Sequence, residues 1–329
     1  MDRTTATFSM NSYQLAIVIL NYCTPQLVVD CLASLESQID AQTQQVIVVD
    51  NASGDDSVER IQGAIVTQNW QSWARLLASD TNGGFSAGNN LGIQAIQADN
   101  YLLLNSDTIV RSGAIQTLLS ALKDYPEAGL LSPRLEWPDA TPQISCFRDH
   151  SPLSEIIDAA RTSVITKFLQ SFDVPIPVTD QSFEPQWTSF ACVLIRRSVI
   201  EQIGLMDDGY FMYYDDIDFC RRARQVGWKI RHIPQARVVH LRGGSGSVKS
   251  DIASRKRPRP YLYASRSRYF AKFYGAFGLT LANGGWLLGR GIAALREILG
   301  NKTPHTCDRQ WQDIWFQWRQ PLKPYRPDP

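Results

Sequence analysis

Along the first 133 residues, short apolar runs alternate with stretches of helical periodicity. Leu15-Ala-Ile-Val-Ile-Leu20 is a buried-strand run rich in β-branched residues. Pro25 opens a helix to about Gln38, with Leu27, Val28, Cys31, Leu32 and Leu35 at helical spacing. Val46-Ile-Val-Val49 is a second strand ending at Asp50-Asn51, and N-cap candidates from Ser53 to Ser57 start a helix to about Val66. Leu76-Leu-Ala78 is a third strand, Thr81-Asn-Gly-Gly84 a turn, and Ser86 to about Gln97 a helix. A fourth strand begins at Tyr101 and stops at Asn105-Ser106-Asp107. The alternation predicts an α/β, Rossmann-like fold whose mostly parallel central sheet is flanked by helices. Ligands in such sheets lie beyond the carboxyl ends of the strands, where Asp50 and Asp107 both fall.

Beyond Pro133 the pattern loosens. Residues 138–186 read as loops around one helix near Leu153 to Leu169. Phe190 to Ile195 is a strand, and a helix runs from Asp215 to just before Gly227. Lys229 to Ile233 and Arg237 to Leu241 read as two short strands. Residues 255–272 then carry seven basic residues and no acid: Arg255, Lys256, Arg257, Arg259, Arg266, Arg268 and Lys272. A helix from about Leu279 to Leu299 follows, expected to be broken by Gly284, Gly285, Gly289 and Gly291, and Trp311 to Trp318 is aromatic-rich. The division expected is one α/β domain over 1–250, with halves at about 14–133 and 134–250, and a basic, aromatic helical extension over 251–329.

Composition narrows the class only a little. The 329 residues are 44% hydrophobic and 20% charged, as in an ordinary globular protein. A net charge of +1 provides no global field for nucleic acid, which is not an expected partner. The six cysteines form no C-x-x-C pair and read as reduced thiols in a cytoplasmic protein. The first apolar run is too short for a signal-peptide core, and no segment has about 18 consecutive apolar residues.

Three acidic or imidazole groups carry candidate chemistry. Asp107 ends a buried strand, where a carboxylate can help hold Mg²⁺ or Mn²⁺, although Asn-Ser-Asp is also ordinary turn chemistry. Asp215-Asp216-Ile217-Asp218 exceeds what capping a helix needs. Helical geometry puts Asp215 and Asp218 on one face and points Asp216 elsewhere, and Asp218 has Arg221 and Arg222 at the spacing of a surface pair. One of these acids has the makings of a general base. His240 ends an apolar pair, where a packed core residue is the commoner reading and a metal ligand the alternative, and the glycines at 243, 244 and 246 suggest a loop able to fold over phosphate. A dehydrogenase reading fails, because Asn21-Tyr-Cys-Thr24 stands where the glycine fingerprint belongs.

In order and spacing, several segments together resemble family-2 inverting glycosyltransferases of the GT-A fold, especially their bacterial rhamnosyltransferase-like branch. They are Ala16 to Tyr22, Val48 to Ser53 with Asp55, Asn82 to Asn90 with Gly92, and Leu104 to Asp107. The rest are Gly204 to Asp207, Phe211 to Cys220, Gly227-Trp228, and His240 with Gly243 and Ser245. The resemblance spans roughly 14–275 and implies a nucleotide-sugar donor held by Asn21, Asp50, Asn51, Asp55, Asn82, Gly84, Asn90 and Asp107. It implies a divalent cofactor, Mn²⁺ or Mg²⁺, at Asp107 and His240, with Asp216 as catalytic base. Trp187, Phe190 and Asp215 fall on the side of a glycan or lipid-linked saccharide acceptor. Three positions depart from the family pattern: Asn105 replaces the first acid of a D-x-D motif, Asp215 a common glutamate, and Phe190 a common glycine.

The reaction implied is transfer of a sugar, dTDP-rhamnose or a UDP-hexose being the expected donor, to a hydroxyl with inversion. The alternatives are a noncatalytic nucleotide-sugar or glycan-binding module on the same scaffold, and a nucleotidyltransferase, which the lack of an early glycine-rich phosphate loop disfavours. The basic run and the aromatic tail leave two readings open, an anionic membrane surface on the cytoplasmic face or simple packing on the domain.

Overall fold

The computed structural model describes residues 12–242, 252–300 and 304–327. The glycine-rich segment after Arg242 and the boundary expected at 250 lie outside the described residues.

Four strands, β1 (Tyr13–Asn21), β2 (Gln44–Asp50), β3 (Ala74–Ala78) and β4 (Ala98–Asn105), run parallel in the order β3-β2-β1-β4. Between them pass α1 (Pro25–Leu35), α2 (Ser57–Thr67) and α3 (Gly84–Gln94). Strand periodicity sends Leu15, Ile17 and Ile19 of β1 to a core with α1 and α2, and Ala16 and Val18 to a second core on the other face. With both faces covered, the strands are apolar throughout, as the sequence pattern requires. Register then aligns the strand ends. Asn21 lies opposite Asp50, Asp50 opposite Ala78, and Leu20 opposite Asn105.

The second half adds β5 (Thr108–Val110), α4 (Ala114–Asp124), β6 (Ala128–Glu136), β7 (Cys146–Phe147), α5 (Pro152–Ala160) and α6 (Ser163–Phe168). It continues with β8 (Trp187–Thr188), β9 (Cys192–Arg196), α7 (Arg197–Ile203), α8 (Asp215–Gln225) and β10 (Lys229–His240). The main sheet has the order β3-β2-β1-β4-β9-β6-β10-β5. β9 is antiparallel to both neighbours and β5 to β10, so the centre of the sheet is mixed. Apolar periodicity places a strand without giving its direction, which is why these antiparallel pairs were not visible in the sequence.

Three boundaries differ from expectation. The helix expected near Leu153 to Leu169 is two, because Arg161 turns left-handed (φ 45°) and Thr162 caps a new start. The two short strands expected after Lys229 are one, with a register shift between Ile233 and Arg237. The last helix, α9, runs from Pro260 to Leu299 and is interrupted at Gly275 (φ 72°, ψ −179°), not at the later glycines. Gly285 and Gly289 instead let α9 approach α5. A Cβ on Gly285 would lie 2.6 Å from the Pro152 carbonyl oxygen, and one on Gly289 would lie 2.5 Å from that of Ile156.

The basic run is largely consumed inside the fold. Arg266 donates to Glu155 at 2.7 and 3.0 Å with both groups buried, Arg257 pairs with Asp313, Arg268 with Asp207, and Lys272 with both Asp207 and Asp218. Among the described residues no helix is long and apolar enough to cross a membrane.

Candidate active site

The aligned strand ends build the first wall. Asn21 Nδ2 donates to Asp50 Oδ2 at 2.7 Å, and Ser53 donates to the same carboxylate through its hydroxyl at 2.6 Å and its amide at 3.0 Å. Asp50 is thus a buried anchor for the turn after β2, where Ala52 (φ 56°) and Gly54 (φ 72°) are left-handed. Asn51 crosses to the next loop, donating to Asn82 Oδ1 at 2.9 Å and to the Gly84 carbonyl at 3.2 Å. Asp55 is exposed at the start of α2, and its carboxylate accepts from the Ser57 amide. Asn90 turns the other way. Its amide exchanges two hydrogen bonds with the Met206 backbone, at 2.9 and 3.0 Å, so it clamps α3 to the 205–208 segment. A cavity of about 650 Å³ opens beside Asn51, Thr81, Gly83 and Asn90.

Gly84 joins this wall to the next. Its φ is +85°, and a Cβ there would overlap the Phe211 carbonyl, which accepts from the Phe85 amide at 2.7 Å. The 211–214 segment is therefore pressed against the start of α3. Tyr213 (φ 69°) and Tyr214 (φ 63°) are both left-handed, an uncommon conformation for bulky residues, and they feed directly into α8.

At the first turn of α8, Asp215 and Asp218 are buried and Asp216 is half-buried. Asp218 is no surface group, contrary to expectation. It accepts from Arg222 at 2.7 Å and Tyr210 at 3.2 Å and pairs with Lys272 at 2.5 Å, while Arg221 lies over the rings of Phe273 and Tyr274. Packing decided this, because α9 covers that side of α8. Burial pushes the Asp215 carboxyl up to about 7. Burial first, and then the neighbouring Asp215 charge, raise Asp216 well above the usual carboxylate range, against hydrogen bonds from the Ile217 and Phe190 backbone. Phe190 meets Asp216 through its backbone only. Its ring is buried in the core against Phe219, at 5.8 Å between centroids. Trp187 stacks on Phe147 at 4.1 Å and donates from its indole to the Arg148 carbonyl.

Antiparallel pairing of β5 with β10 sets His240 opposite Thr108, next to Asp107. Both side chains are buried, and His240 Nε2 is 3.4 Å from Asp107 Oδ1. The Leu241 amide donates to the Asp107 carbonyl at 2.9 Å, and buried His240 Nδ1 has no hydrogen-bond partner among the described residues. Among the described residues no third His, Cys, Asp or Glu joins them there. A carboxylate oxygen and an imidazole nitrogen that converge in this way fit a divalent cation such as Mn²⁺ that takes its remaining ligands from phosphate oxygens. Asn105, at the end of β4, keeps its backbone in the sheet through the Ala191 carbonyl.

Not visible in the sequence were the bonds of Ser53 to Asp50, the Gly84–Phe211 contact and the ion-pair network of Asp207, Arg268, Lys272 and Asp218. Only the spacing of Asp218 and Arg222 was legible.

A parallel half-sheet with a ligand edge, joined to a mixed half that carries acids and a histidine to that edge, is the GT-A architecture. Two solved structures share it. A GalNAc-T7 structure with UDP, GalNAc and Mn²⁺ superposes with a TM-score of 0.61 at 13% identity, over 94% of this chain and 57% of that one. A mannosyltransferase PcManGT from Pyrobaculum calidifontis, in complex with GDP-Man and Mn²⁺, gives 0.51 at 13%, over 95% and 86%. The chain belongs to glycosyl transferase family 2, whose sequence pattern it matches over residues 16–204. It is 29% identical over 187 residues to the Mycobacterium tuberculosis N-acetylglucosaminyl-diphospho-decaprenol L-rhamnosyltransferase, covering 52% of this chain and 60% of that protein. It is 26% identical to the low-salt glycan biosynthesis hexosyltransferase Agl10 of Haloferax volcanii, covering 69% and 66%, and 25% identical to the Escherichia coli rhamnosyltransferase WbbL, covering 48% and 60%.

Proposed function

We propose that this protein is an inverting glycosyltransferase. It moves a sugar from a nucleoside-diphosphate donor, dTDP-rhamnose or a UDP-hexose, to a hydroxyl of a surface-polysaccharide or lipid-linked glycan. The observation that carries this is the joining of three sequence-distant pieces around one sheet edge: the Asn21–Asp50–Asn51–Asn82 wall, the Asp107–His240 pair, and the desolvated Asp215–Asp216 pair.

The chemistry follows from the groups present. Breaking a glycosyl–phosphate bond leaves negative charge on the diphosphate and oxocarbenium character on the sugar carbon. A divalent cation held by Asp107 and His240 would neutralise the leaving diphosphate. Asp216 takes the acceptor's proton, and its burial makes it a stronger base than an exposed carboxylate. One base and one displacement invert the anomeric centre. A noncatalytic binding module would have no use for a buried carboxyl beside a half-buried one, an arrangement that costs free energy.

The test is a panel of nucleotide sugars with Mn²⁺ and Mg²⁺, read by thermal shift and by release of nucleoside diphosphate. At least one donor should stabilise the protein and turn over only with metal, and Asp107→Ala should remove the metal-dependent part. If no donor shifts the melting temperature under any metal condition, the reading fails.

We also propose peripheral attachment to an anionic membrane surface on the cytoplasmic side. Its support is a face of α9 where Phe277, Leu281, Leu288, Leu295 and Ile298 are exposed. The only acid of α9, Glu297, is buried, and exposed Trp315 and Trp318 lie at Thr280 through a hydrogen bond from the Trp318 indole.

A further inference from the structure

A cavity of about 700 Å³ lies between α5, the start of α9 and the segment after residue 304. Its volume is in the range of small-molecule sites. Trp187, Tyr214, Tyr263 and Trp286 contribute aromatic rings, and His150, Glu155, Asp158, Arg161 and Arg266 contribute planar polar groups. We propose that this cavity binds the saccharide of the acceptor. The proposal rests on the glycosyl-transfer reading above and names where that reaction's second substrate sits.

Four observations favour a neutral sugar over other occupants. Aromatic faces are electron-rich and pack against the weakly positive C–H faces of a pyranose, while carboxylate, guanidinium and imidazole groups bond paired hydroxyls in plane. A hydrocarbon tail would leave Asp158 without a new partner, and a diphosphate would meet Glu155 and Asp158 as well as Arg161 and Arg266, a mixed lining that suits an uncharged polyhydroxyl ligand better than either. Tyr263 is only 4% exposed and its hydroxyl has no hydrogen-bond partner among the described residues. Leaving such a group unpaired costs about 1–3 kcal/mol, which a sugar hydroxyl recovers.

The wall is also prebuilt and connected to the chemistry. Arg266 is locked between Glu155 and Asn283, and the hydroxyls of Tyr269 and Tyr274 both donate to the His150 carbonyl. Tyr214 immediately precedes Asp215 and Asp216, and Trp187 lies three residues before Phe190, whose backbone bonds Asp216. Two wall residues are therefore close in sequence to the proposed base and to the residue whose backbone bonds it. Tyr263, Arg266 and Trp286 lie outside the residues that match the family pattern. The wall thus combines residues inside the matched stretch, such as His150, Glu155 and Trp187, with residues beyond it.

The experiment uses the full chain without donor. Octyl glycosides of glucose, galactose, N-acetylglucosamine and rhamnose are titrated below micelle formation by calorimetry, with octanol as the hydrocarbon control. At least one glycoside should bind and octanol should not. Thr166→Trp, which fills the cavity from its half-buried rim, should abolish binding, and Tyr263→Phe should weaken it about fivefold, the value of one lost hydrogen bond. Circular dichroism and melting temperature verify that both variants fold. Absence of binding to the folded wild-type protein, equal binding of octanol, or unchanged affinity in both variants overturns the proposal. Failure of the donor panel with glycoside binding intact and variant-sensitive would sink the transferase reading and leave the saccharide site standing.

Discussion

Asp216 and Asp215 are two adjacent carboxyls in unequal surroundings, and both are held from ionising by burial. A base must be deprotonated to work, so turnover should fall as pH drops through the raised folded value of Asp216, with the acid limb well above the usual carboxylate range. Asp216→Asn should lower turnover by about 10²–10⁴-fold while donor affinity stays within a few fold. Near-normal rates in that variant would take Asp216 out of the mechanism. The same shift has a stability sign. A carboxyl raised in the folded state contributes stability below its unfolded value, and that contribution is lost as pH rises through the folded value. Asp215→Asn should therefore raise the melting temperature at pH 8 and change it little at pH 4. An equal gain at both would mean that the effect is not ionisation.

At the scale of elements, the site depends on contacts between segments far apart in sequence. Gly84 lets the Phe211 segment reach α3, and Lys272 and Arg268 tie α9 to Asp207 and Asp218 beside the candidate base. Gly84→Ala should destabilise the fold by about 1–3 kcal/mol or more, from backbone strain plus collision with the Phe211 carbonyl. Gly113, also left-handed at φ 78° but with open space around it, is the control, and its alanine variant should lose only about 1 kcal/mol. Denaturant midpoints measure both. Equal losses would mean that the Phe211 contact contributes nothing. The strands of the first half and their acidic ends were legible because buried parallel strands are written as continuous apolar runs. The direction of β9, the single β10 and the Gly275 interruption were not, since pairing partners and tertiary packing decide them.

Across the whole molecule, the extension is a second layer of the fold that covers α5 and α8. Its cations are mostly spent on buried partners, so the membrane reading now rests on the apolar face of α9, roughly 30 Å long at 1.5 Å per residue. Sedimentation with anionic vesicles should capture the protein at low salt and release it partly at high salt, and a Leu288→Glu, Leu295→Glu double variant should stay in solution. Equal behaviour of wild type and variant would remove α9 from that role.

The sequence by itself determined the α/β alternation, the strand ends that carry Asp50 and Asp107, and the order of motifs that marks the family, because these depend on local periodicity and residue chemistry. Only the tertiary structure decided which of those residues meet. It made Asp50 and Asn90 internal anchors, turned the Phe190 ring into the core, buried Asp218 in an ion-pair network, and brought His240 to Asp107. Side-chain contacts between distant segments follow from strand pairing and helix packing, which no local pattern records.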